Sequence, residues 1–223
     1  MKKLIISAIL FTLACVSMAA QDHVFNNPDN KPYFGVRIAY DMTCPGNIDF
    51  EDVKFDFFRG GSGFEFGGIF NLPVVANFYI EPGLKLFYGA YSMKKDWLEV
   101  IQDDIILNSL SIRKFGMRVP LMLGYHFDIL EGLSLSVFTG PELEVGFSAK
   151  ECIKGHNIES SESVYGDDGG MKRVNILWNA GIRLSSGHFY FDVTCMSGLV
   201  NMLKDSEMKF KEHRSSFGIG YNF

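Results

Sequence analysis

Apolar and polar residues alternate along most of this chain with a period of two, the spacing of β-strands and not of helices. Between Tyr33 and Asp41, Phe34, Val36, Ile38 and Tyr40 share one face, with Gly35, Arg37 and Ala39 on the other. Between Ser62 and Asn71, Phe64, Phe66 and Phe70 oppose Gly63, Glu65 and Gly67. A third run sets Phe78, Ile80, Leu84, Leu86 and Tyr88 against Glu81, Gly83, Lys85 and Gly89. In the fourth, Phe115, Met117, Val119, Leu121, Leu123, Tyr125 and Phe127 oppose Gly116, Arg118, Gly124 and His126. Leu110 and Ile112, upstream in the same run, have the opposite parity, which predicts a β-bulge near Arg113 and Lys114. The same alternation recurs at Leu133–Phe147, Val174–Leu184, Phe189–Cys195 and Ser216–Phe223. The pattern predicts eight strands.

Their connections alternate in length. Short turns are expected around Leu72–Pro73, Ile129–Gly132 and Ser185–Gly187, and long links at residues 42–61, 92–108, 149–172 and 198–212. Tight turns at one end and long loops at the other is the arrangement of an outer-membrane barrel, periplasmic and extracellular respectively. The expected fold is therefore all-β: an eight-stranded antiparallel up-and-down transmembrane β-barrel, with both termini on the short-turn side. No segment after the N-terminal region approaches eighteen uninterrupted apolar residues, so no transmembrane helix is expected.

Alternation alone does not say which face meets water. Composition does. Of 23 glycines, those at 35, 63, 67, 83, 89, 116, 124, 140, 146, 181, 218 and 220 fall on the polar face of the strands, and Gly68 is the exception. A water-facing surface gains nothing from glycines, which weaken strands. The interior of a narrow eight-stranded barrel needs small residues where side chains crowd. The polar face is thus read as the lumen, and the face carrying most of the 21 phenylalanines as the lipid side. Tyr40, Tyr88, Tyr125, Trp178 and Tyr221 suit interfacial girdles, whereas Tyr190 has lumen parity.

The same parity gathers charge inside. Arg37, Lys85, Arg118 and Arg183 face Glu65, Glu81, Glu142, Glu144 and Asp192, and charges taken out of bulk water must be paired. Eight strands leave an interior that side chains can fill. A structural ion-pair plug is therefore expected in preference to a conduction path or proton relay. Over the whole chain 21 Lys and Arg meet 26 Asp and Glu, for a net charge of −5, which excludes the clustered basic surface of a nucleic-acid binder.

Lys2 and Lys3, the apolar run from Leu4 to Val16 and Ser17-Met18-Ala19-Ala20 read as a cleavable secretory signal over residues 1–20. The barrel then occupies 21–223. Lipidation at Cys15 is disfavoured by the poor match of Thr12-Leu13-Ala14 to the usual box. Export leaves Cys44, Cys152 and Cys195, an odd number. Cys152 and Cys195 flank the sixth strand on neighbouring hairpins, and a disulfide between them is expected.

The last eight residues, Ser216-Phe217-Gly218-Ile219-Gly220-Tyr221-Asn222-Phe223, resemble the C-terminal signal of bacterial outer-membrane proteins. The resemblance rests on Ser216, Gly218, Tyr221 and the terminal Phe223, and implies recognition by the barrel-assembly machinery. Arg118-Val119-Pro120-Leu121-Met122-Leu123-Gly124-Tyr125 resembles a strand of PorT-like, OmpA-type outer-membrane β-barrel domains, and Phe138-Thr139-Gly140-Pro141-Glu142-Leu143 is similar to the segment that follows it there. The likeness covers Tyr33 to Phe223. It implies a bacterial outer-membrane location, outer-membrane lipid as the surrounding partner, and an association with other envelope or secretion-system proteins.

Some small outer-membrane barrels act on lipid A through a His/Ser/Glu group, so His156 with Glu159, Ser160 or Ser161, and His213 with Ser215, are the candidates for a lipid A deacylase or acyltransferase; nothing in their spacing enforces hydrogen-bond reach. Gly166-Asp167-Asp168-Gly169-Gly170 lacks the alternating ligands of a calcium loop and reads as a turn tip. Trp97 sits in an amphipathic loop patch, poised either to dock a partner or to pack on its neighbours. Neither cofactor nor metal is expected. The reading is a non-enzymatic barrel, an anchor presenting loops or a subunit of an envelope complex, with a lipid-modifying enzyme second and a small pore third.

Overall fold

The computed structural model describes residues 31–50, 53–100, 107–130, 132–155, 159–166, 169–205 and 207–223. The expected signal peptide lies outside the described residues. Eight long strands form the ring: β1 (Tyr33–Pro45), β4 (Phe58–Val75), β5 (Phe78–Met93), β6 (Leu107–Leu130), β7 (Leu133–Gly155), β9 (Val174–Ser186), β10 (Phe189–Gly198) and β12 (Glu212–Asn222). Their order is β6-β5-β4-β1-β12-β10-β9-β7, every pairing is antiparallel, and β6 pairs with β7 to close the barrel. Closure leaves the ring without an unpaired edge, so each backbone amide within lipid has a partner. These are the eight strands that the alternation predicts.

The strands outrun the periodic segments at the long-loop end, because pairing continues after the outward apolar residues stop. Between them lie β2 (Ile48–Phe50), β3 (Val53–Phe55) and β11 (Met208–Lys209), which form a separate three-stranded sheet from the first and last long loops. Helix α1 (Lys95–Val100) occupies the second loop, and β8 (Glu159–Ser163) extends the barrel sheet from the third by pairing with β7.

At the other end the three hairpins are tight. Gly132 and Gly187 take φ values of +77° and +55°, the left-handed conformation that short hairpins require. The first turn lies at Ala76–Asn77 and not at Leu72–Pro73, which belong to β4 opposite Ile80 and Tyr79. Ala76 has φ +49°. The turn is held there by β6: Asn77 Nδ2 donates to the His126 carbonyl (2.8 Å) and the His126 amide donates to the Asn77 carbonyl (3.0 Å).

The bulge expected near Arg113–Lys114 is not in β6. Phe115 pairs with Ser148 and Gly116 with Gly146, so the extra residue is Phe147 of β7. Leu110 and Ile112 keep the inward parity of Arg118 and are buried. The apolar face changes sides in that sequence because the outer end of the lumen is itself apolar.

Between the tight turns and the upper end of the strands the outer wall is hydrophobic. Phe217, Tyr40, Phe64, Tyr88 and Phe115 are successive cross-strand partners and form one aromatic row toward the long-loop end. A second aromatic belt lies near the tight turns, where Tyr221 meets Phe189 and Phe223 at 5.1 and 5.0 Å and Phe78 meets Tyr125 at 4.8 Å. Gly68, the one strand glycine of outward parity, lies under the Phe34 ring, 2.9 Å from where its Cβ would be. Tyr190 points inward and is buried.

Candidate functional site

Inward-facing glycines make room for large partners. A Cβ at Gly124 would overlap the ring of Tyr79, and one at Gly220 the ring of Tyr190, each directly across the sheet. Gly181 lies beside the Phe138 ring in the same way. Small residues on one strand thus let rigid aromatic rings from the next lie flat across the lumen near the tight turns.

Above these rings is a continuous ion-pair network. All nine charged residues singled out by parity are in it, and all are buried. Arg183 grips Glu81 with two bonds, 2.6 and 2.8 Å, while its guanidinium lies 4.4 Å from the Tyr190 ring centre. Arg37 bonds Asp192 and Glu65 and donates to Ser216 Oγ at 3.1 Å. Glu65 is the hub, accepting from Arg37, from Lys85 (3.2 Å) and from Arg118 (2.6 Å). Lys85 also reaches Glu142 (3.1 Å), and Arg118 reaches Asp41 (2.7 Å) and Glu144 (2.9 Å). Buried charge is tolerated only when paired and hydrogen-bonded, and here each cation has at least one carboxylate.

Sequence reasoning missed four members. Asp41, Lys114, Glu212 and Arg214 are buried in the same lumen. Arg214 bonds Glu144 and Glu212, Lys114 bonds Glu212, and Tyr91 donates to Glu212 at 2.8 Å. Glu212 and Arg214 share the parity of Ser216 and Gly218, a signal hidden by treating residues up to 212 as loop. With these, six cations meet seven carboxylates inside the barrel.

The outer end is closed by a hydrophobic plug. Tyr91, Ile112 and Ala149 from the barrel wall pack with Val164, Tyr165, Met171, Met202 and Phe210 from the loops. Burial pushes the Tyr165 phenol well above its ordinary pKa, so this contact remains neutral. Cavities within the lumen measure about 10 and 20 Å3, no more than one water each. Among the described residues, side chains fill the lumen.

The four residues of the C-terminal signature divide between the two faces. Ser216 and Gly218 lie in the lumen beside Arg37, and Tyr221 and Phe223 join the lower aromatic belt. The expected Cys152–Cys195 bridge is absent, since all three cysteines are free. Register explains this. Cys195 pairs with Ala180, and Ala180 with Thr139 of β7. Cys152 is 152 − 139 = 13 residues farther along β7, roughly 40 Å at the rise of a strand.

Of the catalytic candidates, His156 and the Glu159 side chain lie outside the described residues. Ser160 and Ser161 belong to β8, where Ser161 faces Cys152 at 3.8 Å. His213 pairs with Ser197, Oγ to Nδ1 3.2 Å, and not with Ser215; Cys44 is its register partner on β1. These three residues face outward on adjacent strands. Trp97 packs on Phe57 (ring centres 4.5 Å apart) and donates to the Asp56 carbonyl at 3.0 Å, so it ties the second loop to the first. Asp167 and Asp168 lie outside the described residues. Among the described residues no group of three or more His, Cys, Asp or Glu side chains is placed to hold a metal.

The family model of the outer membrane protein β-barrel domain matches residues 20–204. Among solved structures, Ail, the attachment invasion locus protein of Yersinia pestis, aligns at 13% identity and a TM-score of 0.45, over 86% of this chain and 99% of its own. OprG from Pseudomonas aeruginosa aligns at 12% identity and 0.45, over 87% and 97%. Neisserial surface protein A aligns at 9% and 0.43, over 85% and 97%. No curated protein matches the sequence at a significant level.

Proposed function

The chain belongs to the outer membrane protein β-barrel domain family and resides in the bacterial outer membrane, and on that footing we propose that it works without catalysis, as a membrane anchor whose outer loops engage other envelope proteins. In the form suggested by its PorT-like segments, it is a subunit of an envelope or secretion complex. The observation that carries this reading is the filled lumen. Among the described residues a network of paired charges below and an apolar plug above occupy the lumen, which favours a role carried by the loops. The described parts of those loops are structured. They fold into a three-stranded sheet, a helix and a strand added to β7, on which Phe50 and Val53 remain exposed. During insertion the barrel-assembly machinery would read Ser216, Gly218, Tyr221 and Phe223.

Crosslinking and affinity capture from native outer membranes test the reading. A stable envelope partner, lost when residues 47–57 are replaced by a short glycine-serine link, supports it. Recovery of the barrel alone, with crosslinker and without, counts against a complex subunit.

A second reading is favoured by one contact. Ser197 and His213 are within hydrogen-bond reach on the outer face, beside Cys44 and beyond the upper aromatic row, at the depth of lipid headgroups. It makes the protein a lipid-modifying enzyme. An unchanged lipid A mass spectrum in a deletion strain removes that reading.

A further inference from the structure

On the outer wall, just past the aromatic row, two cations stand directly opposite one another. Arg113 of β6 and Lys150 of β7 are register partners, and both are exposed. Their side chains share a face because paired residues in an antiparallel ladder point the same way, with Cβ atoms about 5 Å apart. Like charges in that relationship repel and destabilise the sheet. Among the described residues neither has an ion-pair partner. The residues that flank them in the ladder offer no carboxylate either: Ala90 of β5 partners Arg113, and Ser163 of β8 partners Lys150. The acidic neighbour in sequence, Glu151, sits on the opposite face, as its partner Ile112 does.

The pair has an aromatic floor. Two residues below Arg113, about 7 Å along the strand, Phe115 meets Phe147 edge-to-face at 5.8 Å on the lipid-facing surface. Phe147 is the bulge residue, and the bulge is what turns Ala149 inward and Lys150 outward. Arg173, also exposed, donates to the Phe147 carbonyl at 3.4 Å and lies over the Tyr165 ring. Without the bulge, Lys150 would point into the lumen and Arg113 would stand alone.

We propose that Arg113 and Lys150 bind the phosphate of an outer-leaflet lipid headgroup whose acyl chains lie along Phe115 and Phe147. The depth fits: the aromatic row marks the boundary of the hydrocarbon, and the cations stand where headgroup phosphates lie. The charge fits as well. A phosphate placed between two facing cations converts their repulsion into two charge-assisted hydrogen bonds. The site requires only the outer-membrane location of the barrel and is independent of what the loops bind.

The test uses the full-length protein in detergent micelles doped with lipid A, either carrying its phosphates or stripped of them by phosphatase. Wild-type protein is expected to bind the phosphorylated form about thirtyfold more tightly, at roughly a factor of five for each basic residue near the headgroup layer. Arg113→Gln/Lys150→Gln is expected to bind both forms alike while keeping the heat-modifiable gel shift of a folded barrel. Equal wild-type affinity for the two lipids overturns the proposal, and so does an undiminished preference in the double variant. Inorganic phosphate that binds as tightly as the lipid would also overturn it, by making the lipid incidental. The lipid exchange is read on the wild-type chain, so it decides the matter even if the double variant does not fold.

Discussion

Arg37 of β1 grips Asp192 of β10 across the whole width of the intervening strand β12, with Nη2 2.6 Å from Oδ1 and Nε 2.9 Å from Oδ2. Gly218 lies directly beneath the guanidinium, where a Cβ would stand 2.6 Å from Nε and Nη2. The ion pair therefore bridges the seam where the first and last strands meet, and the glycine is what allows it to cross.

Removing one partner of a buried pair leaves an unmatched charge, which costs about 3–5 kcal/mol. Arg37→Met is expected to lose stability in that range in urea unfolding from detergent micelles. Arg37→Met/Asp192→Asn should lose clearly less than the two single changes added together. Simple additivity would mean that the pair is not coupled.

Gly220 is tight for a different reason, since the Tyr190 ring occupies the space of its side chain. Gly220→Ala should destabilise by about 1–3 kcal/mol through overpacking. Truncating the ring with Tyr190→Ala in the same molecule should make the added methyl nearly harmless. The comparison to measure is Gly220→Ala in the wild-type and Tyr190→Ala backgrounds.

Ala76 holds a left-handed backbone that glycine adopts without strain. Ala76→Gly is expected to stabilise the barrel by about 1 kcal/mol. A higher midpoint for the heat-modifiable gel shift would register it; an unchanged or lower midpoint would contradict the strain argument.

All three cysteines should react with a thiol reagent without prior reduction, and their positions should set the reagent. Cys195 faces outward between Val193 and Ser197 on the barrel wall, whereas Cys44 lies two residues past Met42 toward the loops. In liposomes a charged, membrane-impermeant maleimide should label Cys44 fastest, and a lipid-soluble one should raise labelling of Cys195. Equal labelling of both by the charged reagent would place Cys195 above the bilayer.

The barrel was legible from parity because a strand alternates faces and each face meets a different solvent. Gly124 and Arg118 could be assigned to the lumen, and Phe64 and Leu121 to lipid, without knowing any neighbour. The same rule stopped at the loop end. Leu110 and Ile112 read as a bulge because an apolar inward position was expected to be lipid-facing, whereas both are buried on the inward face and Ile112 is part of the plug.

What the sequence by itself determined is the local and periodic part: eight strands, which face of each is polar, and nine of the charges forced inside. The tertiary structure alone decided the partners. Glu65 became a hub for Arg37, Lys85 and Arg118, Arg113 came to face Lys150 across a bulge placed in β7, and Cys152 was set far from Cys195. Those outcomes depend on register, which is summed around a closed ring. A shift of one residue in any ladder would re-pair every side chain above it, and no single strand carries that information.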